Sequence, residues 1–560
     1  MRFISKYIHN YKKEAVLAPL CKLFEATLEL FIPLIIARMI DKGITSDPAN
    51  ADKIFILKMG LCLVALAATG LVISVTGQFF AAKAATGFAA SVRRDLFSHI
   101  MGFSYSSQDS IGTDTLITRL TADINRLQSG VNMTLRLLLR SPFVILGAIV
   151  MSFTVDVNCA MVLAIVVPLL SVVVVSLVLI TLPLYEKNQK KVDALLLSVK
   201  ESLDGIRVIR AFTLEKENAR ENTDRNYAVY DASRHAGHIS AIQNPLTLLM
   251  INIATILLIY KGAIRVDEGI LTRGQVVALV NYTSQILVEL VKTANMMITL
   301  TAAIASGKRV TAILESPVEE PVSRKASPVD GQTPLVSFDN VSFKYHDDSD
   351  AAVKNLSFSA CKGQLIGIIG STGCGKTTVA NLITGAYKPT SGTVDVSGEI
   401  AVVPQKSVLF SGSIADNLKF GDKNASEEKM WSSLSVADAA DFVRQKEGGL
   451  SYTVTPGGKN FSGGQRQRLC IARALCKPSD ILILDDSASA LDYATERKLR
   501  DNLLNMPDRP LIFWISQRAA SIVSADQILV LEDGECAGLG NHETLLKECE
   551  TYREIYESQN

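Results

Sequence analysis

The sequence has no excess of charge of either sign: 57 lysines and arginines stand against 56 aspartates and glutamates, a formal net charge of +1. A nucleic-acid binder carries a basic footprint, so that class of partner is not implied. Nor is there a Cys-x-x-Cys pair among the nine scattered cysteines, which leaves neither a metal cluster nor a disulfide framework suggested. Long apolar runs are missing from everything after about residue 300. Whatever the second half does, it does not cross a bilayer as helices.

The first half is the opposite. Six apolar stretches, at 16–40, 54–80, 137–153, 157–185, 245–264 and 276–300, approach the roughly 20 residues that a bilayer core of about 30 Å requires. The first is too long, and too free of a small-residue cleavage site, to read as a removable leader. With 560 residues, 48% hydrophobic and 20% charged, and a mean hydropathy of +0.24, the chain is greasier than a soluble enzyme and too long for one core. The composition predicts a membrane half of six helices followed by a soluble half.

Lysine and arginine placement predicts orientation. Arg2, Lys6, Lys12 and Lys13 precede the first span; Lys83, Arg93, Arg94, Arg119 and Arg126 lie between the second and third; Lys187, Lys190, Lys191, Arg207, Arg210 and Lys216 lie between the fourth and fifth. The other three connections are short and balanced by Asp41, Asp47, Asp52, Asp156, Asp267 and Glu268. Both termini are therefore expected in the cytosol, with spans two to five continuing into it as helices. The expected domains are a six-helix region over 1–315, a Pro- and Ser-rich linker over 316–334, and an α/β domain over 335–560, where short β-branched runs alternate with helical segments.

Within that α/β domain the run Gln-Leu-Ile-Gly-Ile-Ile places a buried strand before Gly370, Ser371, Thr372, Gly373, Cys374, Gly375, Lys376, Thr377 and Thr378. This is a complete phosphate-binding loop opening a helix: glycines turn backbone N–H groups onto the phosphates, Lys376 reaches the β- and γ-phosphates, and the Thr377 hydroxyl can ligate Mg²⁺. Downstream, Ile481 to Leu484 read as a buried strand ending in Asp485, where a P-loop fold puts its second Mg²⁺ contact. ATP and Mg²⁺ are the expected cofactors.

Between those two motifs stands Phe461-Ser462-Gly463-Gly464-Gln465, and here the chain resembles the ATP-binding cassette (ABC) transporter family, whose signature is Leu-Ser-Gly-Gly-Gln. The likeness covers essentially the whole chain in the exporter arrangement, six spans and then one cassette. It implies that Tyr345 stacks on adenine, that Gln405 contacts Mg²⁺ and the membrane domain, and that Asp492 belongs to the D-loop. It also implies that Ser462, Gly463, Gly464 and Gln465 close over the γ-phosphate of ATP held by the opposite cassette. The segments 111–127 and 201–212 resemble the family's coupling elements.

Three departures stand out. The family's Asp-Glu pair after the second strand is Asp485-Asp486 here, which withdraws the water-polarising carboxylate by about 1 Å, enough to cost about a hundredfold in rate. The switch-loop histidine is Gln517, and the Gly-Glu that many exporters carry before the signature is Thr455-Pro456. An intact signature beside weakened catalytic residues Asp486 and Gln517 resembles the degenerate subunit of bacterial heterodimeric exporters, in the cell membrane. The expected partner is thus a second, different half-transporter, with a homodimer as the alternative. An importer of the same fold, or an ATP-gated pore with little turnover, are the other functional readings.

Charged residues inside expected spans are the last signal. Lys22, Glu25 and Glu29 share one helical face, as do Asn281, Gln285, Glu289 and Lys292. Glu25, Glu29, Gln285 and Glu289 are candidates for a polar path taking cationic or amphiphilic cargo; the competing reading is mutual neutralisation of Lys22 with Glu25 and Lys292 with Glu289.

Overall fold

The computed structural model describes residues 2–44, 52–318, 333–345 and 349–559, so Asp47 and most of the expected linker lie outside the described residues. The chain divides into two compact units, Met1–Met101 with Gly112–Pro317, and Gly102–Ile111 with Val318–Asn560. The first is an α-helical membrane domain and the second an α/β P-loop domain.

In the first unit, α1 (Arg2–Ile8) leads into α2 (Lys12–Gly43), α3 (Lys53–Met101), α4 (Tyr105–Ile111, grouped with the second unit) and α5 (Thr113–Thr118). Then come α6 (Ile124–Leu137), α7 (Arg140–Val155), α8 (Val157–Asp204), α9 (Ile206–Ala211), α10 (Glu215–Asp267) and α11 (Arg273–Leu314). The three longest, α3, α8 and α10, have 49, 48 and 53 residues. At 1.5 Å per residue each exceeds twice the hydrocarbon thickness, about 30 Å.

Five helices among the described residues are long and apolar enough to cross a membrane by length and composition. The first expected span is not one of them: α2 is helical throughout, but Lys22, Glu25, Glu29 and Arg38 interrupt its apolar run. The third expected span lies within one of the five, with a short break near its start: α6 ends at Leu137 and α7 restarts at Arg140, where Pro142 has no N–H to return to Leu138. Between α5 and α6 the backbone widens into a π-turn, Arg119–Asp123, which carries the Asp123 carboxylate inward to Arg119, Ser306 and Arg309.

Helix ends are fixed by side chains that satisfy the free N–H groups of a first turn. Asp156 ends α7 and caps α8, accepting from Cys159 N at 2.8 Å while its other oxygen accepts from Arg265 at 2.7 Å. Thr272 and Gln275 form a reciprocal capping box on α11. Gly274 lets that helix lie directly against α2: a Cβ there would sit 2.2 Å from the Ala37 carbonyl oxygen. About two turns on, the buried Tyr282 hydroxyl donates to the Leu30 carbonyl at 2.8 Å.

The second unit holds two large sheets and a short two-stranded pairing of β6 (Gly412–Ser413) with β7 (Thr453–Val454). β1 (Val336–Phe343), β2 (Val353–Ala360) and β4 (Ser391–Val396) form an antiparallel sheet in the order β2-β1-β4. The larger sheet contains β3 (Leu365–Gly370), β5 (Ile400–Val403), β8 (Ile481–Asp485), β9 (Leu511–Ile515), β10 (Gln527–Glu532) and β11 (Glu535–Gly540), in the order β11-β10-β3-β9-β8-β5. The five strands from β10 to β5 are parallel, and β3, β8 and β9 are buried along their whole length, as continuous apolar runs demand. A parallel sheet of this kind gathers its functional loops at the carboxyl ends of the strands.

The cap at Asp156 is testable. Asp156→Ala removes an N-cap, about 0.5–2 kcal/mol, and strands Arg265, whereas Asp156→Asn keeps the cap acceptor. Thermal unfolding of the detergent-solubilised chain should rank wild type above Asp156→Asn above Asp156→Ala; equal melting of all three would remove the cap from the account.

Candidate functional site

The nucleotide loop follows β3 and opens α12 (Lys376–Ile383). Two of its glycines are required by space. A Cβ at Gly370 would lie 2.1 Å from the Leu531 carbonyl oxygen, and one at Gly375, which has φ +101°, 2.4 Å from that of Ala352. Ser371, Thr372 and Gly373 are exposed at the tip, while Cys374 and Gly375 are buried beneath. Lys376 is 8% exposed and folds back under the loop, its Nζ donating to the carbonyls of Gly370 at 2.8 Å and Ser371 at 2.6 Å. The ammonium is thus held at the centre of the cradle by the loop's own oxygens.

Thr377, in the first turn of α12, donates its hydroxyl to Asp485 Oδ1 at the end of β8 at 3.2 Å. Burial pushes the Asp485 carboxyl above its usual range; the Thr377 bond opposes this and the neighbouring Asp486 charge adds to it. These two oxygens fit the hard donor set of a Mg²⁺ site. Among the described residues no group of three His, Cys, Asp or Glu could hold a metal ion, so a cation here would complete its shell with phosphate and water, as Mg²⁺ commonly does.

Tyr345 lies just beyond β1, 40% exposed, with its hydroxyl 3.0 Å from that of Thr378. Its ring meets Phe343 and Tyr387 edge-on at 4.9 and 5.3 Å. Tyr387 also donates to Asp109 Oδ2 at 2.6 Å, which explains why Gly102–Ile111 groups with this unit, just ahead of the expected coupling stretch 111–127.

Asp486 is held at both ends of its peptide unit. Its φ is +46°, its N–H donates to the Ile515 carbonyl at 3.0 Å, and its own carbonyl accepts from Ser489 Oγ at 2.8 Å and Gln467 Nε2 at 3.4 Å. Its carboxylate accepts from Gln405 Nε2 at 3.4 Å, so Gln405 faces Asp486 here. Gln517 is exposed, and its backbone is clasped rather than its side chain: Gln559 of the last helix donates to the Gln517 carbonyl and accepts from Ala519 N, both at 2.8 Å.

The signature serine is a helix cap. Ser462 and Gln465 form a capping box at the start of α16 (Gly463–Cys476), which follows α13 (Ile414–Lys419), α14 (Glu427–Val436) and α15 (Ala440–Arg444). Gly463 is exposed and Gly464 half-buried, so the first-turn N–H groups of a 14-residue helix face outward toward any anion presented to them. Asp492 caps α17 (Tyr493–Leu504), accepting from Thr495 N at 2.8 Å. Sequence reasoning missed Gln467, which is 3% exposed and ties Asp486 to the D-loop by also accepting from Ala490 N at 3.1 Å. Its place two residues after the signature is the only hint in the sequence.

In the membrane unit, both neutralising pairs are formed, Lys22 with Glu25 at 2.6 Å and Lys292 with Glu289 at 2.8 Å. Arg140, which sequence reasoning also missed, bonds Glu289 and Glu29 at 2.6 Å each, joining α7 to α2 and α11. Its position inside the third apolar stretch was the available signal. Glu25, Glu29 and Glu289 are therefore all engaged by cations, and Gln285 keeps a buried amide oxygen without a partner.

Comparison with known proteins agrees with this architecture. Residues 16–290 match the family described as the ABC transporter transmembrane region, and residues 353–489 the ABC transporter family. An uncharacterised ABC transporter ATP-binding protein of Mycobacterium tuberculosis is 32% identical, over all of this chain and 98% of its own. One of Bacillus subtilis is 32% identical over 99% and 97%. A putative export ATP-binding/permease protein of Rickettsia bellii is 27% identical over 99% and 98%. The structure of a bacterial Atm1-family ABC exporter with ATP bound superposes with a TM-score of 0.82, 22% identity and 98% coverage of both chains.

Lys376→Ala removes the cation at the centre of the cradle, and binding of a fluorescent ATP analogue with Mg²⁺ to the purified chain should fall at least tenfold. Unchanged affinity would place the nucleotide elsewhere.

Proposed function

The chain belongs to the ABC transporter family, as a multi-pass membrane half-transporter with its own ATPase domain, and from that premise we propose that it is the degenerate-site subunit of a heterodimeric exporter. One observation carries the proposal: Asp486 cannot advance to make up its missing methylene, because its N–H and C=O are both tied. A carboxylate about 1 Å short of the attacking water loses about a hundredfold in rate. Gln517 offers an amide where the family has an imidazole, and cannot answer a developing charge by protonation.

In this reading Lys376 and the loop N–H groups bind the phosphates of ATP, Tyr345 carries the adenine, and Thr377 with Asp485 would hold Mg²⁺. The ion would supply charge neutralisation on the β- and γ-phosphates. Gln405 would have to leave Asp486 to join them. The site binds ATP and turns it over slowly. The signature does the opposite work: Ser462, Gly463, Gly464 and Gln465 present N–H groups to the ATP of the partner's cassette, where a complete catalytic pair hydrolyses it to ADP and phosphate. Cassette closure then switches the membrane helices between their two openings. The lysine and arginine distribution supports an orientation with both termini in the cytosol, and in this reading the membrane is the cell membrane.

Steady-state ATPase of the reconstituted pair decides between the sites. Donors aimed at developing phosphoryl charge are worth about 2.7–4 kcal/mol each, so Gly463→Asp should largely stop turnover. The fold accepts that change, since a Cβ there meets only Ala490 Cβ at 3.6 Å. Asp486→Asn should leave most turnover in place; if instead it silences the complex while Gly463→Asp is tolerated, the two sites are reversed. Brisk hydrolysis by the isolated chain would favour a homodimer.

Restoring the family residues at this site should be cooperative. Asp486→Glu alone extends the carboxylate but pays for a longer side chain at φ +46°, where aspartate is better tolerated. Together with Gln517→His it should raise single-site turnover by more than the two separate gains combined. No gain from the double variant would point to another cause, such as Pro456.

A further inference from the structure

A cavity of about 330 Å³ inside the membrane unit is lined by Lys22, Glu25, Ser74, Arg136, Arg140 and Lys292 among others. Four cations face it, and three are accounted for. Lys22 holds Glu25 and Ser74, Arg140 holds Glu29 and Glu289, and Lys292 holds Glu289. Arg136 pairs with no carboxylate among the described residues, and its Nε is buried with no hydrogen-bond partner. Arg140, only 7% exposed, likewise keeps its Nε unpartnered. Buried N–H donors without an acceptor cost free energy, and Arg136, half-buried at the cavity wall, carries a charge that no carboxylate among the described residues answers.

Lys22 and Lys292 each lie about 20 residues, or about 30 Å, along α2 and α11 from the ends of those helices at the short connections after Gly43 and before Arg273, and Arg136, in the last turn of α6, precedes Asp156 by about the same length of chain across the break at Leu138. That is one hydrocarbon thickness away, at the far boundary of the bilayer. Leu137 gives the same cavity an apolar wall. The carboxylates are consumed within the protein, so no anionic group is left over for a cationic cargo.

Building on the reading of this unit as the cargo-carrying half, we propose that the cavity is a binding site for an amphipathic anion, a carboxylate or phosphate head on an apolar body, with Arg136 as its principal contact. The planar fork of a guanidinium matches both head groups through paired N–H donors, and Arg140 Nε supplies a further donor. Lys22 and Lys292 add positive potential without leaving their own partners. The anion restores the charge balance that three carboxylates leave incomplete against four cations.

The test is equilibrium binding to the full-length chain in phosphatidylcholine nanodiscs without nucleotide, with empty nanodiscs subtracted. The probe is 11-(dansylamino)undecanoic acid, beside its uncharged primary amide. The acid should bind wild type at least tenfold more tightly than the amide. Arg136→Gln should remove that preference, and Arg136→Lys should retain part of it with unchanged thermal unfolding. Displacement of the probe by phosphatidylglycerol in the disc marks a lipid headgroup as the occupant; displacement by inorganic phosphate alone marks a free anion. Equal affinity for acid and amide, or undiminished acid binding by Arg136→Gln, overturns the proposal. Because no turnover is involved, that failure leaves the assignment of the ATP sites standing, and reversal of the ATP sites leaves this binding result unaffected.

Discussion

A charge withdrawn from water must be answered within the protein, and the membrane unit is organised by that requirement. Arg140 stands where α7 restarts, and its guanidinium reaches Glu29 on α2 and Glu289 on α11 at 2.6 Å each. Three helices distant in sequence are thereby fixed at one level and one rotation, since no other register brings both carboxylates to the same fork. Ser141 adds a hydroxyl to the second oxygen of Glu289 at 2.7 Å, so that carboxylate is fully used. Removing one member would strand the others, which makes such a cluster a constraint on geometry more than a source of net stability.

In the P-loop unit the corresponding constraint is steric and backbone-borne. Gly370 and Gly375 approach neighbouring carbonyls too closely for any side chain, and Asp486 is tied through its own peptide groups to β9 and to the turn that leads to the D-loop. Gln467 extends the tie to the signature helix, and Gln559 clasps the backbone on either side of Arg518. The side chains of Asp486 and Gln517 therefore sit on a frame with little latitude, and what they can reach depends on their lengths and types more than on adjustment of the chain.

The fold class was legible in the sequence because its signals are additive: apolar runs long enough for a bilayer, their confinement before residue 300, and β-branched runs around a phosphate loop. The P-loop and the strand ending in Asp485 were legible because their spacing is local. What the sequence hid was pairing at a distance. Nothing in the order of residues says that Arg140 meets Glu29 and Glu289, 111 and 149 positions away, or that Gln467 reaches Asp486. The break at Leu138 was readable from Pro142 but was masked by the apolar character of the stretch, and of the charges that keep α2 out of the five most apolar helices, Lys22 and Glu25 could be paired from their spacing whereas Glu29 was seen without Arg140.

The long helices differ in stiffness. α8 carries Pro168 and Pro183 and α10 carries Pro245, each a missing hydrogen bond where a rod can bend, whereas α3 has 49 residues and no proline. At 1.5 Å per residue α3 is about 74 Å long, so a tilt of about 5° about one end carries the other end through about 6 Å. Small angular changes in the apolar part are thus magnified at the polar end by α3, while α8 and α10 can absorb part of the same rotation at their prolines. The unit pairs a lever with two hinged struts.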